Sequence, residues 1–226
     1  LKFERRFTRG LSYSLAYAFA RNIDEFGALL TDRPTPFAPK GYDRGRSQLE
    51  TRHVLNLNSI WELPFGRGKP YASGLHPVAN AFLGGWQFSG IYDFASGTPL
   101  TFVVPGATLG NGLNTRPDLV GNLKLDDPSA NLWFNPAGLA RPADFTFGNS
   151  GVGLIDGPGA HILDTSLMKN FYFGEQRFVQ FRWELFNALN HVNLENPNVT
   201  INQPTTGVIT GAGPARQMQF ALKIVF

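Results

Sequence analysis

From Arg216 to the terminal aromatic, residues alternate almost without fault. Met218, Phe220, Leu222, Ile224 and Phe226 share one face, and Gln217, Gln219, Ala221, Lys223 and Val225 share the other. A period of two marks a β-strand with one apolar side and one wetter side. The length matches the roughly 9–11 residues that a tilted strand needs to cross a bilayer. In water an apolar final strand invites edge-to-edge aggregation, so this one is expected to turn its apolar row toward lipid.

The same alternation recurs along the chain. Strands are expected at about residues 1–8, 11–21, 53–63, 84–95, 163–173, 177–187 and 216–226. In the first, Leu1, Phe3, Arg5 and Phe7 oppose Lys2, Glu4, Arg6 and Thr8; in the second, Leu11, Tyr13, Leu15, Tyr17 and Phe19 oppose Ser12, Ser14, Ala16, Ala18 and Ala20. Leu55, Leu57 and Trp61 then face away from Asn56, Asn58 and Glu62, and Trp86, Phe88, Tyr92 and Phe94 from Gln87, Ser89 and Asp93. Leu163, Leu167, Phe171 and Phe173 oppose Asp164, Ser166 and Asn170, while Val179, Phe181, Trp183 and Leu185 oppose Gln180, Arg182 and Glu184. The only helical signal is a turn or two around Pro77 to Leu83.

Connections sort into two kinds. Arg9-Gly10 and Gly174-Glu175-Gln176 are hairpin-short, whereas 22–52, 95–162 and 188–215 are long and rich in Gly, Pro, Asn and Thr. In an up-and-down weave the long ones fall at one end of the strands and the short ones at the other. Outer-membrane barrels are built so, with short periplasmic turns and long external loops. The stretch 64–83 lies on the short side and reads as an elaborated turn. No apolar run approaches the length of a transmembrane helix. A net charge of +3, with no basic run longer than two, gives no concentrated patch for nucleic acid.

On this topology Trp61 and Trp86 lie at the inner rim, Tyr17, Phe19 and Phe94 lie at the outer rim, and Phe173 is a further interface aromatic. Aromatics at both levels are what a lipid girdle requires. Lys2, Glu4, Arg6, Glu62, Asp93, Asp164, Arg182, Glu184 and Lys223 all face the lumen, where Arg182, Glu184 and Lys223 form a polar ladder or line a solute path. Arg5 and Lys169 alone are charged on the lipid side of the strands. A midplane cation there costs roughly 2–4 kcal/mol, so both are expected to snorkel toward headgroups, unless a bulge turns Lys169 inward.

Several stretches, in this order, carry a family resemblance. Leu63-Pro64-Phe65-Gly66-Arg67-Gly68 is followed by Leu83-Gly84-Gly85-Trp86-Gln87-Phe88-Ser89-Gly90-Ile91 and Ser96-Gly97-Thr98-Pro99. Gly157-Pro158-Gly159 precedes Asp164-Thr165-Ser166-Leu167-Met168-Lys169-Asn170-Phe171. Then come Arg182-Trp183-Glu184-Leu185-Phe186-Asn187-Ala188-Leu189-Asn190-His191, Asn196-Pro197-Asn198 and the closing Arg216 to Phe226 pattern. The set resembles the C-terminal barrel segment of TonB-dependent outer-membrane receptors of the Oar-like type, which carry a carboxypeptidase-regulatory-like N-terminal domain.

The resemblance implies an all-β fold: an antiparallel transmembrane β-barrel segment, about seven up-and-down strands of a roughly 22-strand barrel, with long external loops. An odd count below the smallest bacterial barrel points to a fragment, with the plug domain and the N-terminal part of the barrel missing. Expected partners are outer-membrane lipid, the TonB energy-coupling complex through the missing part, and an unidentified solute. The barrel assembly machinery is a further partner, reading Met218, Phe220, Leu222, Ile224 and Phe226 as its signal by strand addition. The resemblance supplies no catalytic residues and no cofactor.

Other residues carry weaker signals. His53, His76, His161 and His191 lack metal-ligand spacing. Asp126-Asp127 with Asp118 lacks the oxygen-rich spacing of a calcium loop. Gly151, Gly153, Gly157 and Gly159 are expected to make turns with positive φ. No paired carboxylates or nucleophile–base pair indicates an enzyme. Three readings follow: energised import, with loop 95–162 contacting the solute; adhesion or protein export by a similar barrel; and a soluble carbohydrate-binding β-sandwich. The last requires one strand face to pack in a core.

Overall fold

The computed structural model describes residues 1–25, 35–106, 109, 115–173 and 177–226. Every alternating segment forms a strand: β1 (Lys2–Thr8), β2 (Leu11–Phe19), β3 (His53–Glu62), β4 (Trp86–Ala95), β5 (Ala160–Tyr172), β6 (Phe178–Phe186) and β7 (Gln217–Val225). They pair in chain order into one antiparallel sheet of seven strands. β5 starts at Ala160 rather than Leu163, because its ladder with β4 runs on through Ile162↔Asp93 and His161↔Phe94 to Ala160↔Ala95.

One end of the sheet carries the short connections. At the first, Arg9 (φ 52°) and Gly10 (φ 81°) both take left-handed backbone, the geometry of a two-residue type I′ hairpin turn. Thr8 then faces Leu11, with a register irregularity between Arg5 and Thr8. The expected Gly174-Glu175-Gln176 turn lies outside the described residues. Between β3 and β4 the chain makes a seven-residue helix α1 (Pro77–Leu83) with Pro at its start and the His76 side chain accepting from the Val78 N–H. The Trp86 indole N–H donates to the Phe82 carbonyl at 2.8 Å, fixing the helix to the first residue of β4.

Register decides which side chains share a face. Trp61, Phe88, Leu167, Trp183 and Phe220 stand directly opposite one another across five strands. Asn56, Asp93 and Ile162 do the same on the reverse side. The separation is less clean than the alternation suggests. Ser59, Gly90 and Thr165 form a row across the apolar face, while Ile60 and Ile91 stand on the polar one.

The apolar row is not covered. Phe220, Leu222 and Ile224 are 65%, 72% and 63% exposed, and the other sheets among the described residues have two strands each. A sandwich packs one strand face against a second sheet, and among the described residues the apolar face has none. The buried core lies elsewhere: Leu100, Phe102, Val104, Leu123, Phe134, Leu139, Ile155 and Ile201 all belong to the long connections.

Lys169 departs from expectation. Its ladder with β4 and β6 is continuous, so no bulge turns it inward. The side chain does not reach out to headgroups either, being 4% exposed. The ammonium donates to the carbonyl of Gly84, the residue that caps the C-terminus of α1. It also lies 5.5 Å from the Trp86 ring centre and 5.1 Å from that of Phe171. A cation at the negative end of a helix, flanked by aromatic faces, is locally compensated.

Candidate functional site

At the loop end of the sheet the three long connections, expected to be irregular, fold into one body. The apolar run Leu100 to Val104 seeds it: Leu100, Phe102 and Val104 are 4%, 0% and 0% exposed. The Phe102 and Phe134 rings meet edge to face at 4.8 Å between centres. Ile201, from the last connection, packs into the same cluster. Burying one such side chain contributes about 1.5–3 kcal/mol. Backbone bonds stitch the pieces together: Ile201 N–H to Val103 O (2.9 Å), Trp133 N–H to Gly207 O (2.8 Å) and Ile209 N–H to Ala130 O (2.8 Å). Short ladders pair Pro99–Leu100 with Ile155–Asp156 and Asp118–Leu119 with Leu139–Ala140.

The first long connection is held to this body by two polar nodes. In one, Arg116 and Asp43 form a 2.8 Å ion pair with side chains only 3% and 5% exposed. The guanidinium also donates to the carbonyls of Ser150 (2.9 Å) and Tyr42, and lies 3.5 Å above the centre of the Tyr42 ring. Asp43 accepts from the Thr35 N–H and hydroxyl. Both charges are therefore paired and hydrogen-bonded, as burial demands.

The second node centres on Arg46, which bridges Glu50 (2.8 Å) and Asp156 (2.7 Å). Arg52 reaches the same Glu50 oxygen at 3.1 Å. Burial alone pushes the Glu50 carboxyl up, but bonding from Arg46, the Asn22 N–H and Arg52 outweighs it and holds the group below the usual carboxylate range. Burial likewise pulls Arg46 down, and its bonds to Asp156 and Glu50 carry it above its ordinary value.

The glycines near this body do not all follow the turn expectation. Gly153 has φ +65°. Gly151, Gly157 and Gly159 do not lie in that region, and at Gly157 a side chain would collide with the Asn196 amide. Close packing, not left-handed backbone, excludes a side chain there.

Two phenylalanines project from this body of long connections, called the cap below. Phe37 is 93% and Phe145 80% exposed. Each has left-handed backbone (φ 63° and 64°), in turns closed by Ala38 N–H to Thr35 O and Thr146 N–H to Ala143 O. A bulky residue in that region is strained by about 1–2 kcal/mol. The parent loops touch through the Tyr42 and Phe147 rings, 5.1 Å apart.

The residues singled out from sequence distribute over the sheet. Trp61 and Trp86 stand at its turn end, and Tyr17, Phe19 and Phe94 at its loop end. Phe173, just past β5, is 59% exposed and its N–H donates to the Arg177 carbonyl. On the polar face Glu62 pairs with Lys69 at 2.7 Å, and Arg182 with Glu184 at 3.7 Å. Glu184 also accepts from Gln219, and Asp93 from the Asn56 amide. Lys223 stands opposite Gln180, away from that pair. Met218, Phe220, Leu222 and Ile224 line β7, whose second edge has no strand partner among the described residues.

Asp43, Arg116, Phe102 and Phe134 were not identified from sequence. The run Leu100-Thr101-Phe102-Val103-Val104 was the available signal, an apolar stretch inside what read as a loop.

A family model described as an outer membrane beta barrel domain matches residues 1–219. No curated protein and no solved structure matches the chain.

Proposed function

The chain belongs to the outer membrane beta barrel domain family, and from that premise we propose that it is wall and external cap of a TonB-dependent, Oar-like receptor that takes up a scarce solute. Membership places it in the bacterial outer membrane; in this reading the apolar face of the sheet turns toward lipid and the long connections lie outside. One observation carries the transport reading. The external connections form a body with its own apolar core, fixed to its neighbours by buried ion pairs. A rigid scaffold presenting ordered loops suits recognition of a solute before passage. The ladder of Glu62, Asp93, Arg182, Glu184 and Lys223 then belongs to the inner wall, and the upstream part of the protein supplies a plug and the contact to the energy-coupling complex.

The exposed Phe37 and Phe145 favour a second reading, adhesion to an external partner, because strained, uncovered aromatics are suited to docking. A paired genetic experiment separates the two. Strains lacking this barrel or lacking the energy-coupling complex are compared for growth across limiting nutrient sources and for surface attachment. Transport requires both strains to lose growth on one shared nutrient. Loss of attachment in the barrel strain alone, with no shared nutrient defect, replaces transport with adhesion.

A further inference from the structure

Three of the four histidines gather at the loop end of the sheet, among aromatics on its apolar face. His53 starts β3, and its Nδ1 lies 2.8 Å from the Tyr17 hydroxyl. His161 stands in β5, and its Nδ1 lies 3.0 Å from the Tyr92 hydroxyl. The two sites repeat one plan on different strands. Each imidazole also packs against a phenylalanine: His53 against Phe19 at 5.2 Å and His161 against Phe94 at 4.9 Å between ring centres. The exposed His191 ring lies 5.1 Å from His161.

A neutral imidazole that accepts at Nδ1 carries its proton on Nε2. With the tyrosine hydroxyl as donor, each ring is held with its remaining N–H on Nε2 unspent, and among the described residues no protein group meets either Nε2. The neighbours define the surroundings. Phe19, 62% exposed, and Phe94 belong to the row that faces hydrocarbon, while Arg21 and Arg52 lie just beyond the strand ends. In an outer-membrane barrel this end of the lipid face meets the outer headgroups. The acceptor available at that level is a lipid phosphate.

We propose that His53 and His161, each oriented by a tyrosine, form a docking surface for the phosphate of an outer-leaflet lipid headgroup. The surface is independent of whether the barrel transports or adheres. It needs only that the apolar face meets lipid.

The test uses the full-length protein in vesicles of an uncharged galactolipid, which carries no phosphate, with and without phosphorylated lipid A, measuring lipid A bound per protein. Replacing both histidines (His53→Phe, His161→Phe) keeps the rings and removes the donors. Lipid A binding should then weaken about tenfold or more, from the usual strength of hydrogen bonds to a charged group, while binding of lipid A stripped of its phosphates does not change. The pair Tyr17→Phe and Tyr92→Phe leaves the imidazoles but frees their orientation, and should weaken binding about fivefold. This second pair gives the answer if the first does not fold. Inorganic phosphate at equal concentration should not displace the lipid. Unchanged lipid A binding in the variants, or displacement by inorganic phosphate, would overturn the proposal.

Discussion

Arg116 and Asp43, 73 positions apart in the chain, meet at 2.8 Å with almost no solvent contact. The pair joins the first long external connection to the second. Separating buried partners leaves one charge uncompensated, at a cost of about 3–5 kcal/mol. Asp43→Asn should therefore loosen the cap locally, speeding amide exchange at Arg116 and Ser150 by about a hundredfold or more. Arg116→Met combined with Asp43→Leu should cost less than either single change, since apolar replacements leave no stranded charge.

The cap core should unfold separately from the sheet. Phe102→Ala removes a fully buried ring, which ordinarily costs about 3–5 kcal/mol. Proteolysis within residues 95–159 should become rapid while the strand content of the barrel stays constant. Loss of the strands together with the cap would mean that the cap is not a separately cooperative unit.

Acid should release the second node. Because the folded Glu50 carboxyl titrates below its ordinary value, its contribution is complete above the ordinary carboxylate pKa. It is lost as pH falls through the lower, folded value. The protection factor of the Asn22 N–H, which donates to Glu50 at 3.0 Å, should fall as pH drops below the ordinary carboxylate range, and Glu50→Gln should remove that acid dependence.

The sheet was legible in the sequence because its driving pattern is local. A period of two survives in every strand, and Arg9-Gly10 names its own turn. Where a position broke the pattern, as Ser59, Gly90, Thr165 and Ile91 do, only pairing with neighbours could assign its face. Lys169 was misjudged because its partner, the Gly84 carbonyl, lies 85 positions away. The cap was hidden for the same reason in stronger form. Phe102, Phe134 and Ile201 come from irregular segments without periodicity, and their contacts exist only once the strands have set the loop ends side by side.

We propose that the assembly machinery reads β7 through the edge left unpaired among the described residues and through Phe226, which is 99% exposed. Deleting Phe226 from the full-length protein should lower its outer-membrane level, read by surface labelling against an inner-membrane standard. An unchanged level would leave the terminal aromatic as an ordinary end of strand.

Solvation of β7 by hydrocarbon is the premise beneath the fold and the function alike. The chain contains no cysteine, so single cysteines at positions 217 to 224 of the full-length protein, spin-labelled in bilayers after replacement of any cysteine outside this chain, report each site without background. Collision with oxygen should be high at 218, 220, 222 and 224, and collision with a water-soluble relaxant high at 217, 219, 221 and 223. Shielding of the even positions from both reagents, as in a packed protein interior, would contradict it.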